Sequence, residues 1–149
     1  MNISEVLKKE RIKLNMPETT KEQALNSLTE LLYESGALSD KDAFLADVLE
    51  REKISTTGIG NMIAIPHGKS ASVKETTVAV GQLAHGVEWE SMDNKPVRIV
   101  VLLAVNEKDK NGVHLKLLSQ MARKLASEET CARLAEAGGA DEIIKIFSE

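Results

Sequence analysis

Cysteine, aromatic residues and long apolar runs are all scarce in this chain. Its one cysteine, Cys131, cannot form a disulfide within the chain, and a lone thiol is typical of proteins from a reducing cytosol. No run reaches the roughly 18 apolar residues that a membrane-spanning helix needs. The N-terminal segment MNISEVLKKE lacks the apolar core of a signal peptide. We therefore expect a cytoplasmic protein without direct membrane insertion.

Excess positive charge is also missing. Lys and Arg number 19 against 23 Asp and Glu, so the formal net charge is −4. Nonspecific nucleic-acid binding depends on basic patches that neutralise phosphates, and we expect no nucleic-acid partner. Hydrophobic residues make up 42% of the 149 positions and charged residues 28%, as in ordinary globular domains. We expect one domain over residues 1–149, with a core of aliphatic side chains because aromatic residues contribute only 3%.

Two hydrophobic periodicities alternate along the chain. Apolar residues three and four positions apart predict helices, whereas short alternating or continuous apolar runs predict strands. The predicted helices are one between the cap Thr20 and the stop at Gly36, 41–52 with Ser39 as its cap, 114–127, 129–137 and 141–147. The residues predicted to face inward from the helix at 114–127 are Leu115, Leu118, Met121, Ala122 and Leu125. The predicted strands are 12–16, 62–65, 77–83, 97–105 and a short edge strand at 87–89. This order predicts an α/β fold, a single-domain layered sandwich with a small mixed β-sheet flanked by helices on both faces.

The segment TTGIGNMIAIPHGK, residues 56–69, places one histidine in an unusual setting. His67 follows a short apolar run and lies between Pro66 and Gly68. Pro66 lacks a backbone donor, so strand pairing should stop there, and Gly68 allows turns that a side chain would forbid. We therefore predict an imidazole on a stiff support at a strand end, accessible to a macromolecular partner. Its ordinary pKa of about 6.5 leaves a lone pair available for attack on a phosphoryl group, and both ring nitrogens are candidates.

The longer segment LEREKISTTGIGNMIAIPHGK resembles the phosphorylation motif of fructose/mannitol-type (type 2) enzyme IIA proteins of the bacterial phosphoenolpyruvate-dependent sugar phosphotransferase system. The nitrogen-regulatory branch of that family shares the motif, and the resemblance extends over most of the chain. It implies a small mixed sheet between helices. It also implies that His67 accepts a phosphoryl group from the phosphocarrier protein HPr and passes it to a cysteine of enzyme IIB. No metal or organic cofactor is expected, because the phosphoryl group arrives already activated.

The resemblance also assigns roles to residues around His67. Arg51 matches the family arginine that binds phosphate oxygens, a task suited to a planar, permanently charged guanidinium. His114, in the pattern HLKLLS, matches the histidine that lies beside the phosphorylated one and contacts the phosphate. Hydroxyl and backbone N–H donors near the motif are predicted to bind phosphate as well. These predicted phosphate-binding residues are Thr57, Gly58, Gly60, Asn61 and Gly68.

Several alternatives stand beside phosphoryl transfer for sugar uptake. The nitrogen-type alternative is a regulatory protein that binds its partners according to the phosphorylation of His67; the segment Val87-Glu88-Trp89 favours the transport branch. A structural or ligand-binding domain with a decayed motif is a third possibility, against which the intact Arg51, His67 and His114 argue. A zinc site from the two histidines and a carboxylate would lack the HExxH or CxxC spacing of known sites.

Two successive partners must reach the same imidazole, so we expect it in a shallow depression with an apolar rim. Met62, Ile63 and Val113 are the predicted partner contacts. The chain contains no additional enzyme IIB, IIC or transcriptional regulatory segment, and we expect it to act as a free subunit or an excised domain.

Overall fold

The computed structural model describes residues 3–109 and 111–149, apart from the side chains of residues 111, 113 and 114. Helices and strands alternate along these ranges. In chain order they are α1 (Ile3–Val6), β1 (Leu7–Met16), α2 (Lys21–Glu34), α3 (Lys41–Ile54), β2 (Gly58–Gly60), β3 (Ile63–Ala64), β4 (His67–Ser70), β5 (Thr77–Val87), β6 (Val97–Asn106), α4 (Asn111–Lys124), α5 (Glu128–Glu136) and α6 (Ala140–Ser148).

Strand β6 forms the centre of a six-stranded mixed sheet. It pairs antiparallel with β5 along one side and parallel with both β3 and β4 along the other. Beyond these neighbours, β1 runs parallel to β5 and β2 runs antiparallel to β3, which gives the order β1-β5-β6-β3-β2. Continuous apolar runs are typical of strands covered on both faces. The prediction of a central strand at 97–105 is confirmed.

Helices cover both faces of the sheet, and alternate residues of β6 enter two separate cores. Ile99 and Val101 belong to the core beneath α1, α4, α5 and α6. Val100 and Leu102 belong to the core beneath α2 and α3. This division follows from strand geometry, in which successive side chains point to opposite faces. The predicted layered α/β sandwich, with a mixed sheet flanked by helices on both faces, is confirmed.

The ends of α2 and α3 show the local signals that bound them. Thr20 Oγ1 accepts a hydrogen bond at 3.2 Å from the backbone N–H three residues on, as predicted for the cap of α2. Gly36 follows that helix with φ of 87°, a left-handed conformation that favours glycine. The cap of α3 differs from the prediction: Asp40, not Ser39, accepts from the N–H three residues on, at 3.1 Å. The Ser39 hydroxyl instead donates to the Ser72 carbonyl.

Strand pairing continues past Pro66, contrary to the prediction. The carbonyl of Pro66 accepts a hydrogen bond from the N–H of Leu103 at 2.9 Å, and β4 begins at the next residue, His67. Proline removes only a donor, so its carbonyl still takes part in the ladder. The predicted edge strand at 87–89 is also wrong, because Val87 ends β5 and Trp89 lies in the loop that follows.

The inward face of helix α4 matches the predicted one only in part. Met121 and Leu125 are fully buried, as predicted, and the half-buried Leu118 packs against the same core. Leu115, 65% exposed, and Ala122 face outward instead, and Leu117 is fully buried. The pattern HLKLLS allows either face, because its three leucines cover more than one side of a helix. The helix also begins three residues earlier than predicted, at Asn111.

Candidate functional site

His67 is the first residue of β4, and its side chain is half-buried. Its backbone lies opposite Leu103 of β6, which holds this part of the chain extended. The ring Nδ1 lies 3.1 Å from the backbone carbonyl oxygen of Ile65. A carbonyl oxygen only accepts hydrogen bonds, so Nδ1 carries the proton and donates it. The lone pair of the neutral ring is then on Nε2.

The surroundings of His67 favour the neutral ring. Burial has the largest influence and lowers the pKa of His67 from its ordinary value of 6.5, since a charged ring loses solvation there. The hydrogen bond to Ile65 raises this pKa, the nearby Arg51 guanidinium lowers it and the Glu52 carboxylate raises it. The net direction is downward. The nucleophilic form of the imidazole is therefore available at neutral pH.

Gly68 brings α3 against β4, and this contact places Arg51 beside His67. A Cβ on Gly68 would lie 3.0 Å from both Phe44 Cε1 and Val48 Cγ2, so a larger residue would push the helix away. Residues three apart lie on the same helix face, and Arg51 follows Val48 by three positions. Gly68 was predicted to allow a turn, but it lies in an extended strand. Close packing, and not an unusual backbone angle, is what requires glycine there.

Helix α3 and strand β4 border an open pocket of about 450 Å³. The residues that line it are Asp47, Glu50, Arg51, Lys53, Ile54, His67, Gly68 and Lys69. Charges of both signs surround the imidazole, with three cationic side chains among the eight. Ile54 is 78% exposed and supplies an apolar contact at the rim. The structure therefore brings together three of the predicted site residues: His67, Arg51 and Gly68.

Arg51 lies in the last turn of α3 with its guanidinium at the protein surface. Its Nη1 donates to the backbone carbonyl and to the hydroxyl of Ser55, both at 3.2 Å. These two bonds close the end of the helix and direct the side chain toward the turn before β2. A guanidinium has five donors, so the group can hold Ser55 and still present N–H groups to an anion.

The Gly-rich turn lies outside the pocket lining, and its polar groups form hydrogen bonds within the protein. Thr57 Oγ1 donates to Glu52 Oε2 at 2.7 Å. The N–H of Gly58 donates to the hydroxyl of the preceding Thr56 at 3.1 Å, and the N–H of Asn61 donates to Asp93 Oδ2 at 3.0 Å. Gly60, with φ of 92°, allows the sharp turn between them. Phosphate binding by Thr57, Gly58, Gly60 and Asn61 stays a prediction.

His114 is the fourth residue of α4, the helix that follows β6. The side chains of His114 and Val113 lie outside the described residues, so their predicted roles stay predictions. Ile63 belongs to β3 and is fully buried in the core beneath α4, α5 and α6, so its prediction as a partner contact is wrong. Met62 borders a smaller pocket with Cys131, away from the lining of the His67 pocket. The exposed apolar residue at the rim of the His67 pocket is Ile54, which the sequence pattern did not single out.

The described side chains form neither a metal site nor a reactive thiol. Across residues 3–109 and 111–149, excluding the side chains at 111, 113 and 114, no group of three His, Cys, Asp or Glu is placed to hold a metal ion. No helix in these ranges is long and apolar enough to cross a membrane. Cys131 is buried, and burial raises the pKa of its thiol to about 11, so it is not a reactive thiolate.

The fold and the site define an α/β protein that presents one neutral histidine beside an arginine at the edge of a mixed sheet. Residues 5–149 match the family described as phosphoenolpyruvate-dependent sugar phosphotransferase system, EIIA 2. The chain belongs to this family.

Two relatives illustrate the range of the family. The chain is 40% identical over 149 residues to the fructose-specific EIIABC component of Bacillus subtilis, with 100% of this chain and 23% of that protein covered. It thus spans less than a quarter of that relative's length. It is 35% identical over 148 residues to the fructose-specific EIIA component of Haloferax volcanii, with 99% of this chain and 96% of that protein covered.

Solved structures agree with this assignment. The nitrogen regulatory protein IIA-Ntr from Neisseria meningitidis superposes with a TM-score of 0.89 at 31% identity, over 97% of this chain and 98% of that chain. Enzyme IIAMTL of Escherichia coli, in its complex with phosphorylated enzyme IIBMTL, gives a TM-score of 0.81 at 26% identity, over 96% of this chain and 99% of that chain.

Proposed function

We propose that His67 accepts a phosphoryl group from phosphorylated HPr and passes it to a cysteine of enzyme IIB. In this proposal residues 1–149 act in the cytoplasm as one EIIA domain. The observation that carries it is the contact of 3.1 Å between His67 Nδ1 and the Ile65 carbonyl, beside Arg51 in an open pocket. The complex of enzyme IIAMTL with phosphorylated enzyme IIBMTL supports the second step.

Transfer to His67 forms one bond and breaks one. The Nε2 lone pair attacks the phosphorus, and the P–N bond to the donor histidine breaks as the new P–N bond forms. The donor ring leaves with the electron pair of the broken bond. Nδ1 keeps its proton, and the Ile65 carbonyl stabilises the positive charge that develops on the phosphorylated ring. In the second step a thiolate sulfur of enzyme IIB attacks the same phosphorus, and Nε2 regains its lone pair.

Arg51 and His114 are proposed to bind the oxygens of the transferred group. Phosphoryl transfer depends mainly on positioning and on stabilising charge at these oxygens, so a guanidinium in the same pocket as His67 lowers the barrier. The hydrogen bonds of Arg51 to Ser55 are exposed, and the arginine can exchange them for phosphate contacts at small cost. His114 lies in the first turn of α4, where backbone N–H groups also attract an anion.

We propose fructose-class sugar uptake as the destination of the phosphoryl group. The relatives at 40% and 35% identity are both fructose-specific components. The alternative is a nitrogen-type regulatory protein that acts through phosphorylation-dependent binding. The similarity to IIA-Ntr, with a TM-score of 0.89, favours that alternative. Mannitol specificity is a further possibility within the transport branch.

Intact mass measured after incubation with phosphoenolpyruvate, enzyme I and HPr tests the first step. We expect an acid-labile gain of about 80 Da, one phosphoryl group, in the wild type and none in His67→Ala. The His85→Ala variant is the matched control, because His85 is an exposed histidine on β5 outside the pocket, and it should gain the same mass as the wild type. A wild type that gains no mass, with upstream proteins shown to be active, would rule the function out.

The two branches are separated by the fate of the phosphoryl group. Purified phosphoprotein is mixed with the enzyme IIB of a fructose permease, and the transfer of label to the IIB cysteine is followed over time. Rapid transfer supports sugar uptake. If the label stays on His67 with every IIB tested, the transport reading fails and the regulatory alternative replaces it.

A further inference from the structure

Glu52 is a buried carboxylate that has two fixed partners. Its side chain is 4% exposed, and its Oε1 lies 2.8 Å from Lys21 Nζ of α2. Its Oε2 accepts a hydrogen bond from Thr57 Oγ1 at 2.7 Å. The Lys21 ammonium also lies over the ring of the buried Trp89, 5.2 Å from its centroid. The lysine therefore contacts both the Glu52 carboxylate and the Trp89 ring.

Thr57 connects this buried pair to the imidazole. Its backbone carbonyl accepts a hydrogen bond from the N–H of Ile65 at 2.9 Å. The carbonyl of Ile65 in turn accepts from His67 Nδ1 at 3.1 Å. Three successive hydrogen bonds therefore link the Glu52 carboxylate to the His67 ring. They pass through Thr57 and Ile65, which are both buried.

Stability alone does not account for an ion pair at this place. Burying two charges costs solvation, and apolar residues of similar volume often stabilise a protein as well or better. What the pair provides is geometry, because a carboxylate with an ion pair at one oxygen and a hydrogen bond at the other has one orientation. That orientation decides where Thr57 holds Ile65, and so where the acceptor for Nδ1 lies. Glu52 also acts on the ring at a distance, since its charge raises the pKa of His67 while the neighbouring Arg51 lowers it.

We propose that Glu52, anchored by Lys21, is a positioning residue for phosphoryl transfer. Acting through Thr57 and Ile65, it holds the His67 ring in the tautomer with the proton on Nδ1 and the lone pair on Nε2. The purpose of this arrangement rests on the function proposed above. The arrangement itself can be measured in the protein alone, without any partner.

Nitrogen-15 NMR of the imidazole ring gives the first test. The wild type at neutral pH should show a protonated Nδ1 and an unprotonated Nε2 for His67, assigned by its loss in His67→Asn. Thr57→Val keeps the shape of the side chain but removes the hydroxyl, and we expect the two nitrogen signals to move toward each other as the tautomers mix. Thr57→Ser restores the hydroxyl and should restore the wild-type spectrum. Glu52→Gln should behave like Thr57→Val.

The rate of phosphorylation by HPr gives the second test. We expect Thr57→Val to lower the single-turnover rate at saturating donor by about tenfold, because a misplaced nucleophile loses alignment. Thr57→Ser should stay near the wild-type rate. Thr29→Val is the matched control: Thr29 is buried on α2, and its hydroxyl has no hydrogen-bond partner in the described part of the chain. It should leave both the spectrum and the rate unchanged.

Each outcome decides the proposal. If folded Thr57→Val keeps the wild-type ring signals and rate, or if Thr29→Val changes them equally, the positioning role is wrong. Should Glu52→Gln fail to fold, the Thr57 pair of variants still gives the answer. If the wild type is never phosphorylated but the tautomers of Thr57→Val mix, the hydrogen-bond chain stands and the proposed function fails. If the wild type is phosphorylated but Thr57→Val keeps the wild-type ring signals and rate, the proposed function stands and the positioning role of Glu52 fails.

Discussion

Two glycine-containing segments flank the apolar connection 63–66, and they use their polar groups differently. In the turn at 56–61, the Thr57 hydroxyl and the Asn61 N–H are bound within the protein, and Gly58 lies against a neighbouring loop. In β4, Gly68 packs against α3 while His67 borders an open pocket. The comparison teaches that glycines near a functional histidine mark close packing as readily as anion binding. The turn at 56–61 is packed and hydrogen-bonded within the protein, whereas β4 exposes His67 to the pocket.

Replacing Arg51 should have the largest effect of these changes. It should lower the rate of phosphorylation at the His67 pocket and leave the turn at 56–61 unchanged. We expect Arg51→Ala to lower the rate of phosphorylation by about 100-fold or more, because one fixed donor to the developing charge is lost. Stability should change by no more than about 0.5 kcal/mol, as for other surface positions. Single-turnover kinetics and chemical denaturation measure the two quantities.

The Arg51→Lys variant sharpens this prediction. Lysine keeps the charge but not the planar fork, so it should recover part of the rate. NMR titration gives an independent check, since removal of Arg51 should raise the pKa of His67, which the guanidinium lowers. Wild-type kinetics in Arg51→Ala would show that the arginine merely caps α3.

Gly58→Ala tests the supporting turn and should mainly reduce stability. A Cβ at this position would lie 2.5 Å from the backbone oxygen of Glu90, so the loop must shift. We expect the free energy of unfolding to fall by about 2–3 kcal/mol, measured by denaturant titration. Gly138→Ala is the control, because a Cβ there meets no atom within 4 Å and φ is not left-handed. Equal losses in both variants would contradict the close-packing argument.

Gly68→Ala should divide its effect between stability and rate. The added methyl would meet the side chains of Phe44 and Val48 at 3.0 Å, and these can yield more easily than a backbone. We expect a loss of about 1 kcal/mol in stability and a drop of about tenfold in the rate of phosphorylation, because α3 carries Arg51 away from His67. If the rate of Gly58→Ala falls more than that of Gly68→Ala once folding is corrected for, the contrast between the two segments is wrong.

Much of the fold could be predicted from local patterns in the sequence. The central strand β6 is continuous in apolar residues, and the cap at Thr20 is a local signal that tertiary contacts do not override. The inward face of α4 was predicted only in part, because three leucines within four positions fit two faces. Only packing against the sheet selects Leu117 over Leu115.

A site residue can be predicted from the sequence where its type and its neighbours indicate a function. It cannot be predicted where the same residue type usually lies in solvent. His67 stands out by its neighbours Pro66 and Gly68. Glu52 and Lys21 do not, because charged residues on helices are usually solvated and nothing local indicates burial. Their pairing joins α3 to α2 across 31 positions, and it becomes visible only when both helices pack on the same face. The buried role of Gly68 is hidden for the same reason.

The pH dependence of stability should show the smallest effect. The pKa of His67 is lowered in the folded protein, mainly by burial, so the unfolded chain binds a proton first as the pH falls through about 6.5. Stability is therefore lost between that pH and the lower pKa of the folded state, and it rises again with pH. His67→Asn should remove this part of the pH dependence, measured by denaturant titration at several pH values. The phosphorylation rate of the wild type should hold as the pH falls through 6.5 and decline only near the lower pKa of the folded state, where the ring becomes charged. A rate that halves at or above that pH would mean that the pocket does not disfavour the charged ring.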